Sequence, residues 1–136
     1  MTEQPHPLRH PLIPHAVRLI VFAGAAAFVL WASLVPTRDL PSVTFWDKAE
    51  HAIAYFGLCF LGVWALPRRR LAIAGGLIAL GIGVEVLQAN MGLGRQGDPM
   101  DALANSLGVA VGLVSALAAR AFIHWLWPRL TARFRG

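Results

Sequence analysis

Leu71–Leu93 reads LAIAGGLIALGIGVEVLQANMGL, a run whose only charged residue is Glu85. As a helix rising 1.5 Å per residue it is about 34 Å long, enough to cross a hydrocarbon core of ~30 Å. It is too long for a strand and lacks the alternation of a lipid-facing barrel strand. Three similar runs surround it. Leu19–Val35 is bounded by Pro36. Ala52–Leu66 is stopped by Pro67 and the triplet Arg68, Arg69, Arg70, and reaches a full span if its helix begins near Trp46. Ala102–Ala119 is interrupted only by uncharged Asn105, Ser106 and Ser115. The expected fold is an all-α membrane protein: four transmembrane helices in an antiparallel bundle, both termini cytosolic. The spans fall at about 19–35, 46–66, 71–91 and 101–123 in a membrane domain of 19–127, after a polar Pro/His-containing lead at 1–18 and before a basic cytosolic tail at 128–136.

Composition leads to the same class. The chain has 136 residues, of which 14% are charged and 57% hydrophobic, against roughly 25% charged in an ordinary globular domain. A chain this short has too much surface for its volume to hide that much apolar material, so lipid or partner subunits must solvate it. Disorder, which needs low hydrophobicity, is excluded. The single cysteine, Cys59, makes no intramolecular disulfide, and neither zinc-type Cys/His spacing nor a phosphate-binding glycine loop occurs. A cleavable signal peptide is the weaker reading of the first run, whose apolar stretch exceeds a usual signal core of about 7–15 residues.

Basic residues set the expected orientation. Nine of the twelve Lys and Arg (Arg9, Arg18, Arg68, Arg69, Arg70, Arg120, Arg129, Arg133, Arg135) flank the ends assigned to the cytosol, and only Arg38, Lys48 and Arg95 lie on the other side. The net charge of +5 therefore belongs to topology and anionic headgroups of the bilayer, with no nucleic-acid partner. The five tryptophans read as interfacial or lipid-facing residues. His6, His10 and His15 are too irregular and proline-broken for a metal site; no metal and no cofactor is expected. Sequence leaves the oligomeric state open.

Most other ionisable residues collect at the opposite face. Asp47, Lys48, Glu50 and His51 open the second span, Glu85 and Gln88 close the third, Arg95 and Asp98 lie in the next loop, and Asp101 and Asn105 open the fourth. His51 lies fifteen positions from Leu66, Glu85 fourteen from Leu71 and Asn105 fifteen from Arg120. All three therefore sit about 21–23 Å from the cytosolic ends of their helices, and Ser33 reaches the same level. A charge at the bilayer centre costs about 2.5–3.5 kcal/mol, less near the edge, so groups at one depth are expected to face one another. Asp47, His51 and Tyr55 form one stripe at i, i+4, i+8, and Glu85 neighbours Gln88. Asp101, Asn105, Gly108 and Gly112 make a face that is polar at one end and bare below, where a neighbouring backbone can approach. Glycines 75, 76, 81 and 83 suggest tight packing of the third span as well. The alternative structural roles are a buried ion pair of Glu85 with Lys48 or Arg95, and capping of the fourth helix by Asp101 and Asn105.

Asp47-Lys48-x-x-His51-x-x-x-Tyr55, Glu85-x-x-Gln88 and Arg95-x-x-Asp98-x-x-Asp101-x-x-x-Asn105-x-x-Gly108-x-x-x-Gly112 together resemble the VanZ-like family of small bacterial membrane proteins. The resemblance runs from about Trp46 to Gly112, roughly half the chain, and its elements stand in the family's order. It implies a multi-pass protein of the bacterial cytoplasmic (inner) membrane, whose namesake accompanies glycopeptide-resistance genes and gives low-level teicoplanin resistance. It implies nothing about the lead or the tail.

The leading functional expectation is a pocket binding a polar or anionic headgroup of an envelope lipid or lipid-linked cell-wall precursor. Lys48 and Arg95 would hold phosphate or carboxylate, Gln88, Asn105 and Tyr55 would orient sugar or amide groups, and Asp47, His51, Glu85, Asp98 and Asp101 would complete the site. The rival is a membrane-embedded enzyme, with His51, Asp47, Glu85 and Asp101 as candidates for acid-base or metal-assisted chemistry. A scaffold or subunit of a membrane complex is the third class. A pore through the monomer is disfavoured because the spans below Tyr55, Glu85 and Asn105 are almost wholly apolar.

Overall fold

The computed structural model describes residues 13–35, 44–91 and 97–133, with side chains at 13–35, 48–91 and 97–130. These residues form four long helices: α1 (His15–Leu34), α2 (Thr44–Ala65), α3 (Arg70–Met91) and α4 (Pro99–Arg133). Proline writes most of the boundaries. Val35 is extended, with φ −67° and ψ 132°, because the residue before a proline, here Pro36, is driven out of the helical region. Pro67 ends α2 and opens a single 3-10 turn, Pro67–Arg69, that leads directly into α3. Pro99 takes the first position of α4, where a missing N–H costs nothing.

Three of the helical segments, His15–Leu34, Pro67–Met91 and Pro99–Leu130, are long and apolar enough to cross a membrane. At 22 residues α2 is also long enough, but its first two turns carry Asp47, Lys48, Glu50 and His51, which lower its hydropathy. It is instead the most enclosed element. It packs against α1, α3 and α4, most extensively against α4, and contributes Tyr55, Leu58, Cys59 and Val63 to the core that Ala74, Leu77, Val109 and Ala116 complete. The other helices face outward. Only 6% of the α1 span window is buried within the protein, and Ile20, Phe28 and Trp31 are at least 63% exposed. An apolar surface of this extent requires lipid or another chain around it.

The pairing of positions defines how the helices run. Gly108 lies against the backbone of Ala52, and Gly112 against Phe56 one turn further along, so α2 and α4 advance side by side in the same direction. Arg18, at the start of α1, donates to the Trp64 carbonyl near the end of α2 at 3.1 Å, its guanidinium 5.8 Å from that indole. Ile73, near the start of α3, lies against Gly62 near the end of α2. α1 and α3 therefore run opposite to α2.

Two packing expectations change. Of the α3 glycines only Gly81 is packed, against Asn105 and Tyr55, whereas Gly75, Gly76 and Gly83 have open space around them. These three face away from the other helices, so the tight seam lies between α2 and α4. The fourth helix is also longer than its span: Pro128–Arg133, expected in the basic tail, continue α4 through a proline. Pro128 offers no N–H to the carbonyl of His124. In the next turn Arg129 donates to the Trp125 carbonyl at 2.6 Å and stacks 3.9 Å over its ring.

Candidate functional site

The polar groups converge at one end of the bundle, and the start of α4 organises them. Asp98 caps that helix: its Oδ1 accepts the Met100 N–H at 2.8 Å, and its carbonyl accepts the Asp101 N–H at 2.8 Å. This is the ordinary work of an aspartate at the N-cap, so the cap is Asp98 and not Asp101. The preceding Gly97 is pressed against the Glu85 carbonyl and Ala89 of α3. There the Asp98 N–H donates to Glu85 Oε2 at 3.1 Å, tying the cap to α3.

From α2, Lys48 reaches across to the same turn. Its ammonium pairs with Asp98 and, at 2.8 Å, with Asp101 Oδ1. Glu85 accepts the Asp98 backbone N–H, and Lys48, one of the two partners the structural alternative gave it, is instead paired with Asp98 and Asp101; the other, Arg95, lies outside the described residues. One turn further, His51 Nδ1 faces Asn105 Oδ1 at 3.2 Å, and His51 Nε2 lies 3.9 Å from Asp101 Oδ2. Asn105 is 1% exposed and Tyr55 1%, with Gly81 leaving room for both. Gln88 is buried and donates to the Ser33 carbonyl of α1 at 2.6 Å, so its amide ties α1 to α3. His51, Glu85 and Asp101 bring one ligand atom each to within 4.8 Å of one another.

His51, Glu85 and Asn105 thus lie at the shared level their spacing indicated, and Lys48, Tyr55, Gln88, Asp98 and Asp101 gather with them. The side chain of Asp47 and all of Arg95 lie outside the described residues. Sequence reasoning missed the wall on α1. A cleft of about 150 Å³ opens between α1 and α2, lined by Phe28, Val29, Ala32, Ser33, Glu50, His51, Ala54 and Tyr55. Ser33, whose depth matched the polar level, was the one signal on α1; Phe28 and Val29 carry no polar signal of the wall they form.

In the loop, the Lys48 ammonium beside Asp98, helped by the Met100 N–H, holds the Asp98 carboxyl below its ordinary value. A depressed folded-state value contributes stability above the unfolded carboxylate value and loses it as pH falls through the folded one. Thermal stability of the purified protein is therefore expected to drop as pH goes below about 3.9. Asp98→Asn should be less stable at neutral pH and have a shallower acid limb. Parallel acid limbs in the two proteins would contradict this assignment.

Comparison with known proteins gives no relative: no protein-family model, no curated protein and no solved structure matches the chain.

Proposed function

We propose that the chain is a VanZ-like integral protein of the bacterial cytoplasmic membrane, crossing it four times as an antiparallel bundle with both termini cytosolic. Its polar end opens outward and binds the headgroup of an envelope lipid or lipid-linked cell-wall precursor, and through that ligand affects glycopeptide susceptibility. The α1–α2 cleft carries this reading. Ser33, Glu50, His51 and Tyr55 form its polar lining, and Phe28, Val29, Ala32 and Ala54 its apolar one, a division that suits an amphiphile entering sideways from lipid. At about 150 Å³ it is well below the ~300–1,000 Å³ of sites that enclose a whole drug-sized ligand. It takes one sugar or phosphate unit, with the acyl chains left in the bilayer. Lys48 is held by Asp98 and Asp101, so it meets an anionic headgroup only by exchanging a carboxylate for it.

Binding of a fluorescent lipid-linked disaccharide pyrophosphate to protein in nanodiscs tests this. Ala54→Trp, which fills the cleft, is expected to weaken binding at least about tenfold, a loss of ~1.4 kcal/mol. Lys48→Ala combined with Arg95→Ala should weaken it further. Unchanged binding in both variants would reject the reading.

The meeting of His51 with Glu85 and Asp101 favours, as a second reading, a membrane-embedded enzyme acting on a lipid-linked substrate. Activity retained in His51→Gln, which keeps hydrogen bonding without proton transfer, would exclude acid-base chemistry by that ring.

A further inference from the structure

We propose that His51, Glu85 and Asp101 form a binding centre for one divalent cation of the zinc and manganese class, held between α2, α3 and α4. The inference goes beyond headgroup binding and does not depend on it.

Glu85 is the first observation. It is 7% exposed, and while Oε2 accepts the Asp98 N–H, Oε1 is buried with no hydrogen-bond partner among the described residues. A carboxylate oxygen left unsatisfied away from water is costly. It lies in the group whose ligand atoms converge within 4.8 Å. Asn105 Nδ2, in the same cluster, is also buried without a partner among the described residues, a donor suited to a water or anion on a bound cation.

The ligand set has the right chemistry. Asn105 Oδ1 at His51 Nδ1 accepts the ring proton and so directs the Nε2 lone pair to the side of Asp101 Oδ2. Metal-binding histidines are commonly oriented by such a partner. Asp101 is similarly divided, with Oδ1 on Lys48 and Oδ2 towards His51. Metal–ligand bonds of ~2.0–2.2 Å bring neighbouring ligand atoms to about 3–3.5 Å apart, so binding draws the three groups inward by roughly 1–2 Å. One imidazole with two carboxylates suits zinc or manganese better than calcium, and three protein ligands leave a position for water or substrate.

Charge points the same way. Among the described residues the cluster holds three carboxylates, Glu85, Asp98 and Asp101, against the single ammonium of Lys48. That excess of carboxyl groups over ammonium suits a divalent cation. His51 also lines the α1–α2 cleft, which supplies an entry path.

The full-length protein, purified in detergent and stripped with chelator, would be equilibrated with zinc, desalted and assayed for metal by mass spectrometry. Cobalt would be titrated in parallel and followed by visible absorption. About one zinc per chain is expected, with cobalt bands that zinc bleaches. Asn105→Ala should weaken binding about 10–100-fold and Glu85→Gln at least as much. His124→Ala, on the exposed side of α4, should bind as the parent does. Circular dichroism establishes that each variant is folded, and the cobalt spectrum of the parent stands even if Glu85→Gln is not. The proposal is overturned by a parent with neither stoichiometric zinc nor cobalt bands. A folded Glu85→Gln protein that binds zinc as tightly as the parent overturns it equally.

Discussion

Gly108→Leu is expected to leave almost no folded protein in the membrane. A Cβ at this position would run into the Ala52 carbonyl and the Cα beside it. These are backbone atoms of a helix held on three sides, so no rotamer change relieves the contact. Overpacking against yielding side chains costs about 1–3 kcal/mol, and a backbone obstacle costs more because α2 and α4 must separate along their seam. Gly112→Leu meets the Phe56 carbonyl at 2.5 Å and Cys59 Cβ at 3.0 Å and should fail in the same way. Gly62→Ala is expected to be milder, since what it meets are side-chain and not backbone atoms, the γ2 methyl of Ile73 at 2.6 Å and the Phe22 ring at 3.0 Å. Gly75→Leu and Gly83→Leu, which point into open space, should accumulate like the parent. Membrane-fraction immunoblots with size-exclusion profiles in detergent measure all five. Normal yield and profile for Gly108→Leu would show that the α2–α4 seam is looser than described.

Lys48→Met is the second severe change. It removes the cation shared by Asp98 and Asp101 while Glu85 stays hydrogen-bonded to the same turn, placing three carboxylates together with no described cation among them. The cost falls on Asp101, whose side chain is only 10% exposed, far more than on Asp98 at 42%, because a buried charge that loses its partner is left uncompensated. The folded fraction should fall roughly tenfold, and Lys48→Met with Asp101→Asn should recover much of it, as expected for directly coupled sites. A double variant as poor as the single would mean that Lys48 acts through the packing of its alkyl stem. A divalent cation offers a second check. If zinc neutralises the cluster, it should restore Lys48→Met more than it stabilises the parent.

The helices and the level of their polar groups were legible because few charges interrupt so apolar a chain. Glu85 interrupts an otherwise uncharged run, and its distance from Leu71 places it at the depth of Asn105 without tertiary information. The close approach at Gly108 and Gly112 was legible too, because these glycines continue the face that begins with Asp101 and Asn105. Partner choice was not. Spacing puts Lys48, Glu85, Asp98 and Asp101 at one end, but which carboxylate receives the ammonium depends on Gly97 folding against α3 and on Asp98 becoming the cap. The same blindness applies to the α3 glycines. Gly81 and Gly83 differ in environment only because two residues turn a helix by more than half a revolution, and α3 has no polar stripe there to reveal which side is covered. Gln88 read as a ligand group, and its link to a backbone carbonyl of α1 is invisible without the fold.

α2 holds the least lipid-compatible surface and the most central position, and this combination has a consequence for how the protein is made. When its polar first turns emerge from the ribosome, the residues that neutralise Lys48 and meet His51, namely Asp98, Asp101 and Asn105, are some fifty positions away in sequence. Until α4 arrives, α2 has neither its charge partners nor the glycine face that covers it. Packing of the second helix is thus completed by the fourth, and a chain truncated before Pro99 should be recognised by quality-control proteases as an unfinished product.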